Sequence, residues 1–200
     1  SQLVSSSGVV GSDVSAVGTA RSATGACEYG IDKAIFGFGY INTASSYTAI
    51  TNLVSNAGVV ATDTTGVGTA RSDLAAATYN GSKGIFGFGT TGSVTGVTNL
   101  VSNAGVVASD TAAVGTARSY PGACEYGTNK VTAIFGFGTT GSVTGVTNLV
   151  SSAGVVASDV TAVGTARRGV AACGYGGDKG IFGFGNTGSH VGMTNLVSNA

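Results

Sequence analysis

The pentapeptide Ile-Phe-Gly-Phe-Gly begins at Ile35, Ile85, Ile134 and Ile181, and Val-Gly-Thr-Ala-Arg ends at Arg21, Arg71, Arg118 and Arg167. The arginines lie 50, 47 and 49 residues apart. The chain is therefore four near-copies of one unit of about 48 residues, and like units of that size must bury their apolar faces on one another. Asp13, Asp63, Asp110 and Asp159 each precede their arginine by eight residues, and Lys33, Lys83, Lys130 and Lys179 each follow it by twelve. This block never changes length.

Length varies at two places, where loops are expected. After Gly39 the first unit carries Tyr40 to Ile50, against the shorter Thr90–Val97, Thr139–Val146 and Asn186–Met193, and after Lys130 the residues Val131 and Thr132 are additional. Within the second unit, Leu74–Tyr79, Lys83–Gly89, Thr98–Ser102 and Val106–Asp110 read as strands. Asn80-Gly81-Ser82 and Asn103-Ala104-Gly105 supply the positive φ of tight turns. The fold class is thus all-β, each repeat a four-stranded antiparallel meander in a single repeat domain, 1–200. The units run 22–71, 72–118, 119–167 and 168–200, the last completed by residues 8–21.

Composition excludes several alternatives. With 42% hydrophobic and 9% charged residues the chain can bury a core. Its 35 glycines follow no collagen-like period. Nine basic and nine acidic residues leave a net charge of zero and no basic stripe, so nucleic acid is not an expected partner. No apolar run approaches the roughly 20 residues of a membrane-spanning helix, so no membrane insertion is expected. Beginning at Ser1 without a signal peptide, the sequence reads as processed or as a window of a longer product.

The stretch Arg71-Ser-Asp-Leu-Ala-Ala-Ala-Thr-Tyr-Asn-Gly-Ser-Lys-Gly-Ile-Phe-Gly-Phe-Gly89 resembles the kelch repeat: an arginine, a small-residue first strand, a turn and an aromatic second strand ending in glycine. The same stretch recurs after Arg21, Arg118 and Arg167, so the resemblance covers the chain. Gly-Phe-Gly stands here for the kelch Gly-Gly pair and tryptophan is absent; propellers of the regulator-of-chromosome-condensation type share the glycine-and-aromatic strand and are the next nearest. The resemblance implies a β-propeller. The alternative is a linear β-stack or fibre. In a closed ring residues 8–21 would complete the last unit, leaving Ser1–Ser7 or Thr194–Ala200 as a surplus strand and an invitation to self-association.

The repeated Asp13/Arg21, Asp63/Arg71, Asp110/Arg118 and Asp159/Arg167 are read as scaffold polar residues, the arginine bonding carbonyls or the aspartate, because a repeat copies its structural groups. Cys27, Cys124 and Cys173 share one position with Ala77, as free buried thiols would; neither a metal site nor a cofactor is implied. The Phe pairs, two residues apart, are expected on one face of their strand as core between units. Glu28 and Glu125 recur in only two units and read as solvent-facing. No catalytic set is found. Loop residues Tyr40, Tyr47, Tyr120 and His190 are the ligand-binding candidates, tyrosine suiting sugar stacking, and Asn80-Gly81-Ser82 matches a glycosylation acceptor. Low charge and Gly/Ser/Thr richness point to a non-enzymatic structural or ligand-binding protein of an extracellular surface, filament or virus particle, with glycan or protein as ligand. The alternative is a cytoplasmic kelch-like scaffold holding a protein partner through Tyr40–Ile50.

Overall fold

A computed structural model describes residues 2–198. It is all-β: twelve strands form four three-stranded antiparallel sheets, one per repeat. Unit 1 contains β1 (Gly25–Tyr29), β2 (Lys33–Ile41) and β3 (Ser46–Val54). Unit 2 contains β4 (Ala75–Tyr79), β5 (Lys83–Gly87) and β6 (Thr98–Val101). Units 3 and 4 repeat this with β7 (Gly122–Tyr126), β8 (Thr132–Gly136) and β9 (Thr147–Val150), then β10 (Ala171–Tyr175), β11 (Lys179–Gly183) and β12 (Thr194–Val197). The register is the same in every sheet: Cys27 faces Ile35, as Ala77 faces Ile85, Cys124 faces Ile134 and Cys173 faces Ile181.

The expected fourth strand does not form. Val106–Asp110 makes one isolated bridge, Val107 to Val101, and Thr111 just beyond it makes another, to Thr98. The cause is a side chain: Asn99 Nδ2 donates to the Ala108 carbonyl at 3.0 Å, capturing the acceptor that a ladder amide needs, and Asn52 and Asn148 do the same at Ala61 and Ala157. A second departure concerns the variable segment of unit 1. Tyr40–Ile50 is not a loop but an extension of the β2–β3 hairpin, in which Tyr40 and Tyr47 pair across the strands with ring centroids 5.3 Å apart. Aromatic and β-branched residues favour that pleated surface.

First strands lie side by side in chain order, β1 with β4, β4 with β7 and β7 with β10, and all four border one opening of about 240 Å³. Phenylalanine makes the junctions. Phe86 stands over Gly37 of the preceding unit, where an added methyl would meet its ring at 2.8 Å, and Phe135 over Gly87 and Phe182 over Gly136 repeat the contact at 2.7 and 3.0 Å. The second Phe of each pair does not share that face. Phe38, Phe88, Phe137 and Phe184 adopt φ of 60° to 63°, a bulge that swings the ring toward the following unit. Phe38 thus meets Phe86 edge-on at 5.1 Å, Phe88 meets Phe135 at 5.1 Å and Phe137 meets Phe182 at 5.3 Å. Each fully buried ring contributes about 1.5–3 kcal/mol, which is why the junctions hold the array together.

Consecutive units are also matched in size. The Cys27 sulfur occupies the space a methyl on Gly84 would need, 2.5 Å from it, and Cys124 relates to Gly180 in the same way at 2.7 Å. Where unit 2 has Ala77 instead of cysteine, unit 3 has Ala133 instead of glycine, and the two share a core cluster. Cys173 is exposed, with no glycine or alanine of another unit against it among the described residues, in contrast to the buried position expected for it.

The N-terminal segment lies against the first unit. Leu3 sits over Gly58 as Leu53 sits over Gly105 and Leu100 over Gly154, so residues 3–10 imitate the end of a preceding unit, with Val4 bridging Val10 as Val54 bridges Val60. Residues 8–21, expected to complete unit 4, therefore contact unit 1. Leu3 has its glycine seat at Gly58 and its carbonyl accepts from the Gly11 amide at 2.7 Å, which anchors the segment locally.

Candidate functional site

Two polar constellations result from this fold. The first is a clamp, once per unit. Arg71 Nε donates to the Phe88 carbonyl at 2.8 Å and Nη1 to that of Thr69 at 3.0 Å, while the guanidinium lies 4.1 Å above the Phe38 ring of the preceding sheet. Arg118 and Arg167 repeat this on Phe137 and Phe184, stacked 3.9 and 4.0 Å over Phe88 and Phe137. Arg21 makes the carbonyl bonds, to Phe38 and Thr19, and, with no ring of a preceding unit beneath it, also reaches Asn52 Oδ1 at 2.7 Å. Burial pulls the Arg71 and Arg118 guanidiniums down to about 10, against the opposing pull of Asp110 and Asp159, so both stay protonated at neutral pH.

The aspartates close the clamp from an unexpected side. Asp63 does not serve Arg71, eight residues on; it accepts from the Thr19 amide at 3.0 Å, the Thr19 hydroxyl at 2.7 Å and Asn52 Nδ2 at 2.9 Å, with Arg21 Nη1 4.0 Å away. Asp110 holds Thr69 and Asn99, and Asp159 holds Thr116 and Asn148. These hydrogen bonds, led by Thr19 and then Asn52, hold the Asp63 carboxyl below the usual range. For Asp110 and Asp159 burial pushes upward most strongly, but the threonine and asparagine donors together outweigh it and both carboxyls also end low. Thr and Asn were not singled out from the sequence, although Thr-Ala-Arg and Thr-Asn-Leu recur beside the polar residues that were. Asp13 is exposed, and the fourth unit's Thr165 and Asn195 have no carboxylate among the described residues.

The second constellation is an open cleft of about 570 Å³ at unit 4, lined by Tyr120, Arg168, Phe184, Asn186 and His190 among others. It unites two of the four ligand-binding candidates, Tyr120 and His190, which lie 70 residues apart. The Gly169 amide donates to the Tyr120 carbonyl at 3.0 Å, and Asn186 and Arg168 exchange backbone bonds at 3.0 and 2.9 Å, placing the Arg168 guanidinium 5.8 Å from the Tyr120 ring. Burial raises the Tyr120 phenol, followed by the Asp73 carboxylate; Arg168 draws it back and Tyr47 adds slightly to the rise. Tyr40 and Tyr47 form their own edge-to-face pair and do not line this cleft. Arg168 and Asn186 escaped the sequence reading, yet each breaks the repeat: Arg168 doubles the arginine, and Asn186 replaces Thr90 and Thr139. Elsewhere, Lys130 reaches across unit 2 to Glu28 at 2.9 Å and lies 3.6 Å from Glu125, joining units 1 and 3.

The cleft can stack a planar or sugar ring against tyrosine and phenylalanine and offer it guanidinium, amide and imidazole groups. The clamp bonds its aspartate, threonine and asparagine together and its arginine to carbonyls, as scaffold does, although Nη2 of Arg71, Arg118 and Arg167 and Oδ1 of Asn99 and Asn148 are buried without a partner. Comparison with protein-family models finds no match for this sequence, and comparison with curated proteins finds none.

Proposed function

We propose that this chain is a non-enzymatic structural repeat protein of an extracellular surface, filament or virus particle, its units set as blade-like sheets about a shared opening that stays open between units 4 and 1. The observation that carries this is the clamp: the recurring Asp bonds the Thr and Asn and the recurring Arg bonds backbone carbonyls, with Arg21 also reaching Asn52, an arrangement that serves assembly of units instead of chemistry on a substrate. A propeller-like turn accounts for the opening bordered by all four first strands; the exposure of Phe184 at 63% and Phe36 at 39% favours an open turn over a closed ring.

A second property, glycan binding, rests on the Tyr120–His190 cleft, whose aromatic floor and polar rim suit a saccharide. Sedimentation over a wide concentration range together with a glycan array tests the proposal. Concentration-dependent growth supports the structural reading and retention of a glycan supports the binding one; a chain that stays monomeric and retains no glycan overturns both.

A further inference from the structure

The two ends of the array carry the two halves of a junction already seen three times inside it. At each internal junction the arginine that enters one sheet covers the second Phe of the sheet before, and the amide of the glycine after that Phe donates to the arginine's carbonyl: Gly39 to Arg71, Gly89 to Arg118 and Gly138 to Arg167, at 2.8 to 2.9 Å. At unit 4, Phe184 is 63% exposed and no arginine covers it. At unit 1, no phenylalanine lies under Arg21, and Phe36, counterpart of the fully buried Phe86 and Phe135, is 39% exposed. Gly183, the counterpart of Gly37, Gly87 and Gly136, has no ring above it.

The polar clamp shows the same division. Among the described residues, Thr165 and Asn195 stand together without an aspartate, and the N-terminal segment carries Asp13 without a threonine. Leucine seats match too: Leu149 and Leu196 are exposed by 39% and 69%, whereas Leu53 and Leu100 cover glycines of the following unit, and Gly8 has no atom near the place of its missing side chain.

We propose that copies of this chain associate head to tail through a fourth junction formed by exchange of the N-terminal segment. This rests on the structural reading above and specifies its interface. Residues 8–13 of the incoming copy continue unit 4 of the first, Val10 bridging Val197 in place of Val4, and bring Asp13 to Thr165 and Asn195. Leu196 takes the seat on Gly58 that the incoming copy's own Leu3 holds within the free chain, so residues 2–7 are a resident plug that must leave. Arg21 then covers Phe184, and Phe36 covers Gly183. Such an interface is heterologous and leaves both ends free again, so it propagates.

One contact opposes the fit. Internally, cysteine meets glycine and alanine meets alanine, but this junction sets Cys173 against Ala34, an excess of one methyl. The plug and this misfit keep the association of the intact chain weak.

Sedimentation equilibrium on the full chain, a chain lacking residues 1–7, and Ala34→Gly in each tests the proposal. Removing the plug and relieving the misfit are each expected to tighten association about tenfold or more, the effect of relieving one overpacked methyl. Gly183→Ala, which in the free chain meets nothing nearer than Thr194 Cγ2 at 3.5 Å, is expected to abolish association while leaving the thermal melt unchanged. Cys173 labelling by maleimide is expected to slow in the assembled state. Assemblies indifferent to all of these changes would overturn the junction while sparing the structural reading. A chain monomeric even without the plug would overturn both, as would a monomer with Cys173 protected, the signature of closure upon itself.

Discussion

Arg118 does three things at once: Nε and Nη1 each satisfy a carbonyl, and the plane of the guanidinium lies on Phe88. Lysine keeps the charge but has neither the fork nor the flat face. Arg118→Lys is expected to lower stability by about 2–3 kcal/mol, the scale of a buried charged hydrogen bond left unmade, as measured by urea denaturation. Arg21→Lys, with no ring beneath it, should cost clearly less; equal losses would show that stacking contributes nothing. The cysteines divide in the same way. Burial pushes the Cys27 and Cys124 thiols up to about 12, whereas Cys173 is exposed. Maleimide at mildly alkaline pH should therefore modify one thiol per native chain, at Cys173, and three after unfolding, read by mass spectrometry.

At the scale of elements, the glycine of Ile-Phe-Gly-Phe-Gly is a bearing surface for the next unit's ring. Gly87→Ala brings a methyl to 2.7 Å from Phe135 and should destabilise by about 1–3 kcal/mol, whereas Gly183→Ala should leave the melting temperature unchanged because a methyl there meets only Thr194 Cγ2 at 3.5 Å. An equal drop in both variants would mean that the strand, not the junction, needs glycine. The existence and pairing of the first three strands of each unit were legible in the sequence, because turn residues and β-branched or aromatic runs alternate at fixed spacing. The second phenylalanine's face was not legible: two-residue alternation presumes an unbroken pleat, and the positive φ at Phe88 breaks it with a non-glycine residue. Nor was the missing fourth strand, since Asn99 reads as an ordinary strand residue until its amide is seen on the Ala108 carbonyl. Tyr120 and His190 were chosen for being outside the repeat. Their meeting depends on how unit 4 docks on unit 3, which no local pattern encodes.

For the whole molecule, three Asp clamps and two buried thiols set the pH range of the fold. Asp63, Asp110 and Asp159 titrate below their ordinary value when folded, so their contribution is complete above about pH 4 and is lost as pH falls through the depressed values. Cys27 and Cys124 titrate above theirs, so their contribution is complete below about pH 8.5 and is lost as pH rises toward about 12, a fall that the lowered Arg71 and Arg118 oppose only above about pH 10. Thermal melts across both ranges should trace a plateau with two falling shoulders, and Asp110→Asn should flatten the acid one. An acid shoulder unchanged by that substitution would place the acid sensitivity elsewhere.

Near-identical neighbours are prone to join in the wrong order as they fold, since each surface offers several plausible mates. The alternation of Cys27 with Gly84, Ala77 with Ala133 and Cys124 with Gly180 works against that hazard. Skipping one unit would drive Cys27 into Ala133 and leave Ala77 facing Gly180 across a gap. A difference of one atom at a single position therefore acts as a serial number, making the order of the units along the chain also their order in space.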